Sequence, residues 1–268
     1  DLSKRSQKLA NALQKLGLEH GDRVGTLAWN GYRHMELYYG VSGSGFVCHT
    51  INPRLFREQI GYIIEHAGDS VLFSDLTFLP ILEALADRLA PLKAVVILTD
   101  EAHMPKSEVL PNLVCYETLI ADESDEFEWP VFDENTASGL CYTSGTTGDP
   151  KGVLYSHRSS VLHAMAISFM DVLSLSANDA VVPVVPMFHV NAWGLPFAAP
   201  MVGAKLVMPG PNLDGASLHS LFESEGVTAT AGVPTVWLGL LDWMDAHGQK
   251  FTSLKRVAIG GAANPPLM

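Results

Sequence analysis

What most limits the fold of this chain is an alternation of strand-length apolar runs with helix-length segments along nearly all of its 268 residues. Residues 3–16 place Leu9, Ala12, Leu13 and Leu16 at helical spacing, and Gly17 and Gly21 stop that pattern before the strand-like run RVGTLAW. The spacing then predicts helices over 32–44, 56–66 and 78–89, separated by strands over 46–50, 70–74 and 94–98. A run as continuously apolar as AVVIL suits a strand covered on both faces, so the rhythm predicts an α/β fold with a mostly parallel sheet flanked by helices.

Residues 100–136 break the rhythm, and the acidic, Pro-containing stretch DESDEFEWPVFDEN reads as a surface connection between two lobes. The expected division is a first lobe over about 1–136 and a second over about 137–268. The second lobe is read as strand 138–142, a Gly/Thr-rich loop, strand 152–156 and a helix over about 158–173. Further strands are expected at VVPVVP, AKLVM, VTAT and RVAIG, with helices after 190, over 214–224 and over 234–246.

Composition narrows the class. Apolar residues make up 47% and charged residues 17%, below the roughly 25% of an average domain, which favours buried strands over a helical bundle. The net charge of −12 and the lack of a basic stripe argue against nucleic acid as a partner. Cys48, Cys115 and Cys141 lie far apart and form no CxxC pair, usage that fits a reducing cytoplasmic setting. The sequence has no signal-peptide pattern, and no apolar run reaches the 18 or so residues of a transmembrane span. The start at Asp1 and the stop at Met268, after a Gly-Gly turn and a Pro pair, read as the cut ends of a longer polypeptide.

The segment YTSGTTGDPKG (142–152) carries the chemistry. Its glycines allow a tight backbone turn, and Ser144, Thr143, Thr146 and Thr147 add hydroxyls to the N–H groups such a turn presents to one anion. Lys151, after Pro150, adds an ammonium. A Ser/Thr-rich linker has a similar composition, but linkers are not framed by strands such as SGLCY and GVLYSH. A P-loop of a kinase or ATPase needs Gly where Pro150 stands, Ser or Thr where Gly152 stands, and a helix where a strand follows.

The loop resembles the motif of the adenylate-forming (AMP-binding) superfamily, and the likeness extends through HTINPRL (49–55), VVPMFHVNAWGLPFA (184–198), GVPTVW (232–237) and GGAANP (260–265). Together these segments look most like those of medium- and long-chain fatty acyl-CoA synthetases, with ligases for short thioether acids as close relatives. The resemblance implies part of a large N-terminal domain, a fatty acid, ATP and CoA as small-molecule substrates, Mg²⁺ as cofactor, and a homodimer. It implies that Thr143 helps hold Mg²⁺, and that Ser144, Gly145, Thr146, Thr147, Gly148 and Lys151 surround the β- and γ-phosphates.

By the same likeness, His189 lies near the reacting carboxylate and α-phosphate, Val190 lies beside the nucleotide, and Trp193 gates the acyl tunnel. Gly260 and Gly261 let backbone approach the adenine and acyl chain. Residues 233–237 with Gly194, Leu195 and Phe197 line an apolar acyl pocket, Val233 and Thr235 among them. Taken singly, His189 at the end of an apolar run, Trp193 at helical spacing and the Gly260–Gly261 pair read equally as structural residues, and 233–237 as plain core. His157, Arg158 and His163 are read as a solvated helix start without a role, and the acidic run 122–128 as solvated surface rather than a metal site.

The implied reaction joins a carboxylate to the α-phosphate of ATP with loss of pyrophosphate, and then exchanges AMP for the thiol of CoA. A peptide-synthetase adenylation domain would offer an acidic residue after the aromatic-His segment, where this chain has VNAWGLPFAAP. The family's downstream metal-binding Glu, ribose-binding Asp, hinge and small C-terminal domain with its lysine are not among these residues. The isolated segment is therefore expected to turn over little. The alternative is a truncated, non-catalytic protein that binds acyl groups or nucleotide.

Overall fold

The computed structural model describes residues 1–110, 112–143 and 149–263. The chain divides into two compact units, Asp1–Ser159 and Ser160–Met268. In the first, α1 (Leu2–Lys15), β1 (Arg23–Leu27), α2 (Tyr32–Gly43), β2 (Val47–Thr50), α3 (Arg57–Ala67) and β3 (Asp69–Ser74) follow the expected alternation. The helix expected over 78–89 is instead two short ones, α4 (Leu79–Ala84) and α5 (Ala86–Leu89), because Leu85 leaves helical geometry at φ −111°, ψ 12°. β4 (Ala94–Ile97) comes next.

The acidic stretch 122–135 is irregular, as its composition suggests, but the break over 100–136 is more ordered ahead of it. That earlier part contains β5 (Leu113–Cys115), which pairs in parallel with β4, and α6 (Tyr116–Ala121). β6 (Ala137–Tyr142) and β7 (Gly152–Ser156) complete a seven-stranded sheet among the described residues, in the order β5-β4-β3-β1-β2-β6-β7. Every neighbouring pair is parallel except β6 with β7, which form an antiparallel hairpin around the Gly/Thr loop.

That hairpin corrects the expected division near residue 136. β6 pairs with β2, His49 opposite Leu140 and Thr50 opposite Cys141, so the loop-bearing strands belong to the first sheet and not to a second lobe. Leu27, Ile51, Ile60, Ile63, Ile64, Leu72, Val95 and Ile97 form a core between sheet and helices. Each such side chain contributes about 1.5–3 kcal/mol on burial. Gly68 ends α3 in the left-handed region at φ 63°, and Arg23 donates to the carbonyls of Ala67 and Gly68, each at 2.7 Å, so the last turn keeps its acceptors satisfied.

The second unit is built on a four-stranded parallel sheet in the order β11-β10-β8-β9, from β8 (Ala180–Pro183), β9 (Lys205–Leu206), β10 (Ala229–Gly232) and β11 (Arg256–Ile259). α7 (His157–Ser168) spans the division between units and is shorter than the helix expected over 158–173. α8 (Val190–Trp193), α9 (Leu195–Val202), α10 (Gly215–Glu225) and α11 (Pro234–His247) complete the unit. Asp214 caps α10 by accepting from the Ser217 N–H at 3.0 Å. The core of this unit joins Val182, Val184, Leu218, Phe222, Val227, Trp237, Leu240 and Met244. No helix among the described residues is long and apolar enough to cross a membrane.

Candidate active site

In each unit the strand direction decides where the candidate segments lie. Open parallel sheets bind ligands beyond the carboxyl ends of their strands, where loops and helix N-termini present backbone donors. β6 runs parallel to β2, so the Gly/Thr loop leaves the carboxyl edge of the first sheet. In the second unit, His189–Trp193 follow β8, Val233 follows β10, and Gly260 and Gly261 follow β11, all at the carboxyl edge of one parallel sheet.

The described part of the loop consists of its two roots. Tyr142 pairs with Gly152 across the hairpin, and the Thr143 N–H donates to the Lys151 carbonyl at 3.0 Å. The side chains of Thr143 and Lys151 are exposed, as anion binding requires, and Pro150 is buried beneath them. Ser144, Gly145, Thr146, Thr147 and Gly148 lie outside the described residues. Gly152 packs closely: a Cβ there would sit 3.0 Å from Leu140 Cδ1 and 3.3 Å from Tyr142 Cζ.

In the second unit, Val190, Asn191, Ala192 and Trp193 have φ between 47° and 53°, so α8 is a left-handed turn rather than an ordinary helix. L-residues there cost about 1–2 kcal/mol each, and such a turn persists only where its surroundings hold it. Ala192 is fully buried, the Ala192 N–H donates to the His189 carbonyl at 3.1 Å, and Gly194 follows at φ 78°. Glycine is also required at 194 by space, because a Cβ would come within 2.5 Å of His163 Nδ1. His163, read from the sequence as a solvated residue without a role, is exposed as expected and also packs against the end of this turn. The signal was not local, since His163 and Gly194 are 31 positions apart in the sequence.

The turn leaves His189 and Val190 exposed and sets the Trp193 indole over Gly260, where a Cβ would lie 2.9 Å from Cη2. Gly261, at φ 83°, approaches Val233, with a Cβ 3.2 Å from Cγ1. Three segments far apart in sequence are therefore in contact at one sheet edge. Thr235 is exposed on the first turn of α11. Leu195 and Trp237 are core: Leu195 is 1% exposed, and Trp237 is 4% exposed with its indole over Gly232.

Among the described residues no cluster of three His, Cys, Asp or Glu side chains could hold a metal ion. Among the described residues of the Gly/Thr loop, the exposed Thr143 hydroxyl, 3.5 Å from the Lys151 carbonyl, and the exposed Asp149 carboxylate are oxygens a cation could use. Such oxygens suit a hard cation that takes its remaining ligands from phosphate oxygens and water.

Residues 1–267 match the profile of the AMP-binding enzyme family. A medium-chain-fatty-acid–CoA ligase of Ectopseudomonas oleovorans is 57% identical over 264 residues, 98% of this chain and 48% of that enzyme. A 3-methylmercaptopropionyl-CoA ligase of Ruegeria lacuscaerulensis is 55% identical over 268 residues, 100% of this chain and 50% of that enzyme. A long-chain-fatty-acid–CoA ligase of Archaeoglobus fulgidus shares the fold with a TM-score of 0.86 at 22% identity, over 99% of this chain and 51% of that one. The chain spans about half the length of the curated relatives it matches. With a family match over residues 1–267 and relatives this similar, the chain belongs to the AMP-binding enzyme family.

Proposed function

We propose that the protein carrying this segment is an acyl-CoA synthetase that activates a medium- or long-chain carboxylic acid with ATP and transfers the acyl group to CoA. The observation that carries this reading is the gathering of Trp193, Gly260, Val233 and Gly261 at one carboxyl sheet edge, an apolar patch bordered by the exposed His189. The 57% identity to a medium-chain ligase supports it.

In the first step a carboxylate oxygen bonds to the α-phosphorus of ATP and the bond to pyrophosphate breaks. Thr143, Lys151 and the loop 144–148 hold the β- and γ-phosphates in line with the leaving direction, so their work is positioning and charge stabilisation. His189 orients the carboxylate. In the second step the CoA sulfur bonds to the acyl carbon and AMP leaves. Mg²⁺, held by the Thr143 hydroxyl together with substrate oxygens, would supply charge neutralisation on the leaving pyrophosphate. Val190 and Trp193 border nucleotide and acid, with Gly194, Thr235 and Gly260 along the acyl path. We further read the protein as a cytoplasmic homodimer.

A second acid class is favoured by a specific observation, the 55% identity to a 3-methylmercaptopropionyl-CoA ligase. A panel of straight-chain acids from four to eighteen carbons plus 3-methylthiopropionate, assayed on the full-length protein for acyl-CoA, decides between them. The highest kcat/KM is expected among acids of about six carbons or more. A maximum at 3-methylthiopropionate overturns the fatty-acid assignment.

A further inference from the structure

Tyr142 is the last residue of β6 and the residue before Thr143, so its position fixes where Thr143 begins. Three contacts hold it, all within the first unit. Its hydroxyl lies 2.7 Å from His66 Nδ1, on the last turn of α3, and His66 is itself stacked on Tyr62 with ring centroids 5.2 Å apart. Its ring packs at 5.2 Å against His49, which is fully buried in β2. On the hairpin side it lies against Gly152, where a Cβ would stand 3.3 Å from its Cζ.

His49 is an unusual residue to bury for packing alone. Its Nδ1 lies 2.8 Å from an oxygen of Asp69, whose side chain is likewise inaccessible, and its Nε2 has no hydrogen-bond partner among the described residues. Burial pushes the Asp69 carboxyl up against the opposing pull of His49. Gly25 makes room for this pair, since a Cβ there would stand 2.8 Å from Asp69 Oδ2. A buried His–Asp pair costs desolvation that an apolar pair would not, and its geometric effect is to fix the imidazole plane. The plane so fixed is the wall against which the Tyr142 ring rests.

We propose that Tyr142 is a positioning residue for the phosphate loop, clamped between the His49–Asp69 pair and His66 so that Thr143 presents its hydroxyl in one orientation. The clamp ties the root of the loop to β2, β3 and α3, elements placed by the core of the first unit. This inference rests on the reading of 143–151 as the phosphate site.

The test is a set of variants in the full-length protein, with KM for ATP and KM for the acid measured separately and thermal stability recorded for each. Tyr142→Phe keeps the ring and removes only the hydroxyl, and His66→Leu removes its partner. Each is expected to raise KM for ATP about threefold, the worth of one solvent-accessible hydrogen bond, with KM for the acid and Tm unchanged. The double variant should match either single one, and His66→Asn, which returns a polar atom near the place of Nδ1, should restore the parent value. Thr143→Ala separates the two layers of the argument. If it raises KM for ATP while Tyr142→Phe and His66→Leu do not, or shift both KM values equally, the clamp is overturned and the phosphate site stands. If Thr143→Ala leaves KM for ATP unchanged, the phosphate site fails and the clamp falls with it.

Discussion

Replacing Gly260 with alanine tests whether the Trp193 contact belongs to the substrate path or to the core. The new methyl would stand 2.9 Å from Trp193 Cη2 and 3.3 Å from Cζ2. Carbon pairs prefer about 3.5–4.0 Å, so the indole must retreat by roughly 0.6–1 Å. The backbone at 260 is not in the left-handed region, so alanine brings no backbone strain. If the ring could not move, overpacking would cost about 1–3 kcal/mol. Trp193 is only half-buried, so the loss should fall near the low end. A reacting geometry displaced by an ångström loses up to about a hundredfold, and half-burial of the ring argues for about tenfold here. The assay is kcat/KM for the acid at saturating ATP, with Tm measured alongside. Gly239→Ala, on α11 with nothing among the described residues within 4 Å of the added methyl, is the control and should leave kcat/KM unchanged. A Gly260→Ala enzyme within twofold of the parent would show that the indole packs as core and takes no part in binding the acid.

Two further predictions concern the first unit. His34 is buried on α2, with Nε2 3.0 Å from the Thr26 hydroxyl and Nδ1 3.0 Å from the Trp29 carbonyl, and burial lowers its pKa from 6.5 to about 4 against the pull of that carbonyl. The unfolded chain therefore binds the proton first. The stabilising contribution is complete above pH 6.5 and is lost as pH falls toward 4, about 3 kcal/mol in all. Urea unfolding of parent and His34→Gln at pH 7 and pH 4.5 should show a smaller pH dependence in the variant, and equal dependence refutes the assignment. Glu36, with its side chain 2% exposed, accepts from Arg5 Nε at 2.5 Å and from the Tyr116 hydroxyl at 2.7 Å, joining α1, α2 and α6. Glu36→Ala should cost about 3 kcal/mol, the low end for a broken buried pair, because Arg5 keeps Glu117. Chemical denaturation checks this, and a loss below about 1 kcal/mol would contradict it.

Element type was legible where periodicity was strong. α1 buries Leu9, Ala12 and Leu13 as spaced, and the strands over 23–27, 69–74 and 94–97 lie where apolar runs put them. What failed was non-local. Nothing within GVLYS tells an antiparallel edge strand from a parallel one, so the pairing of β7 with β6, and with it the unit boundary, came only from the sheet. β5 is three residues long, too short for a period to register. The left-handed turn at 190–193 contains no glycine, the usual sequence mark of positive φ, and is imposed by its surroundings. The candidate residues were legible as types, but the meeting of Trp193, Val233, Gly260 and Gly261 at one sheet edge of the second unit depended on strand direction. The partnership of His49 with Asp69, 20 residues away, left no local trace.

The central claim is that this segment belongs to an enzyme that makes an acyl-adenylate. Exchange of labelled pyrophosphate into ATP by the full-length protein, with a fatty acid present and CoA absent, measures that step alone. The account predicts exchange that requires the acid, and a loss of about tenfold or more in Thr143→Ala and Lys151→Ala, the scale on which single charge-stabilising groups act. Exchange without acid, or ADP and phosphate as products in place of AMP and pyrophosphate, would contradict it.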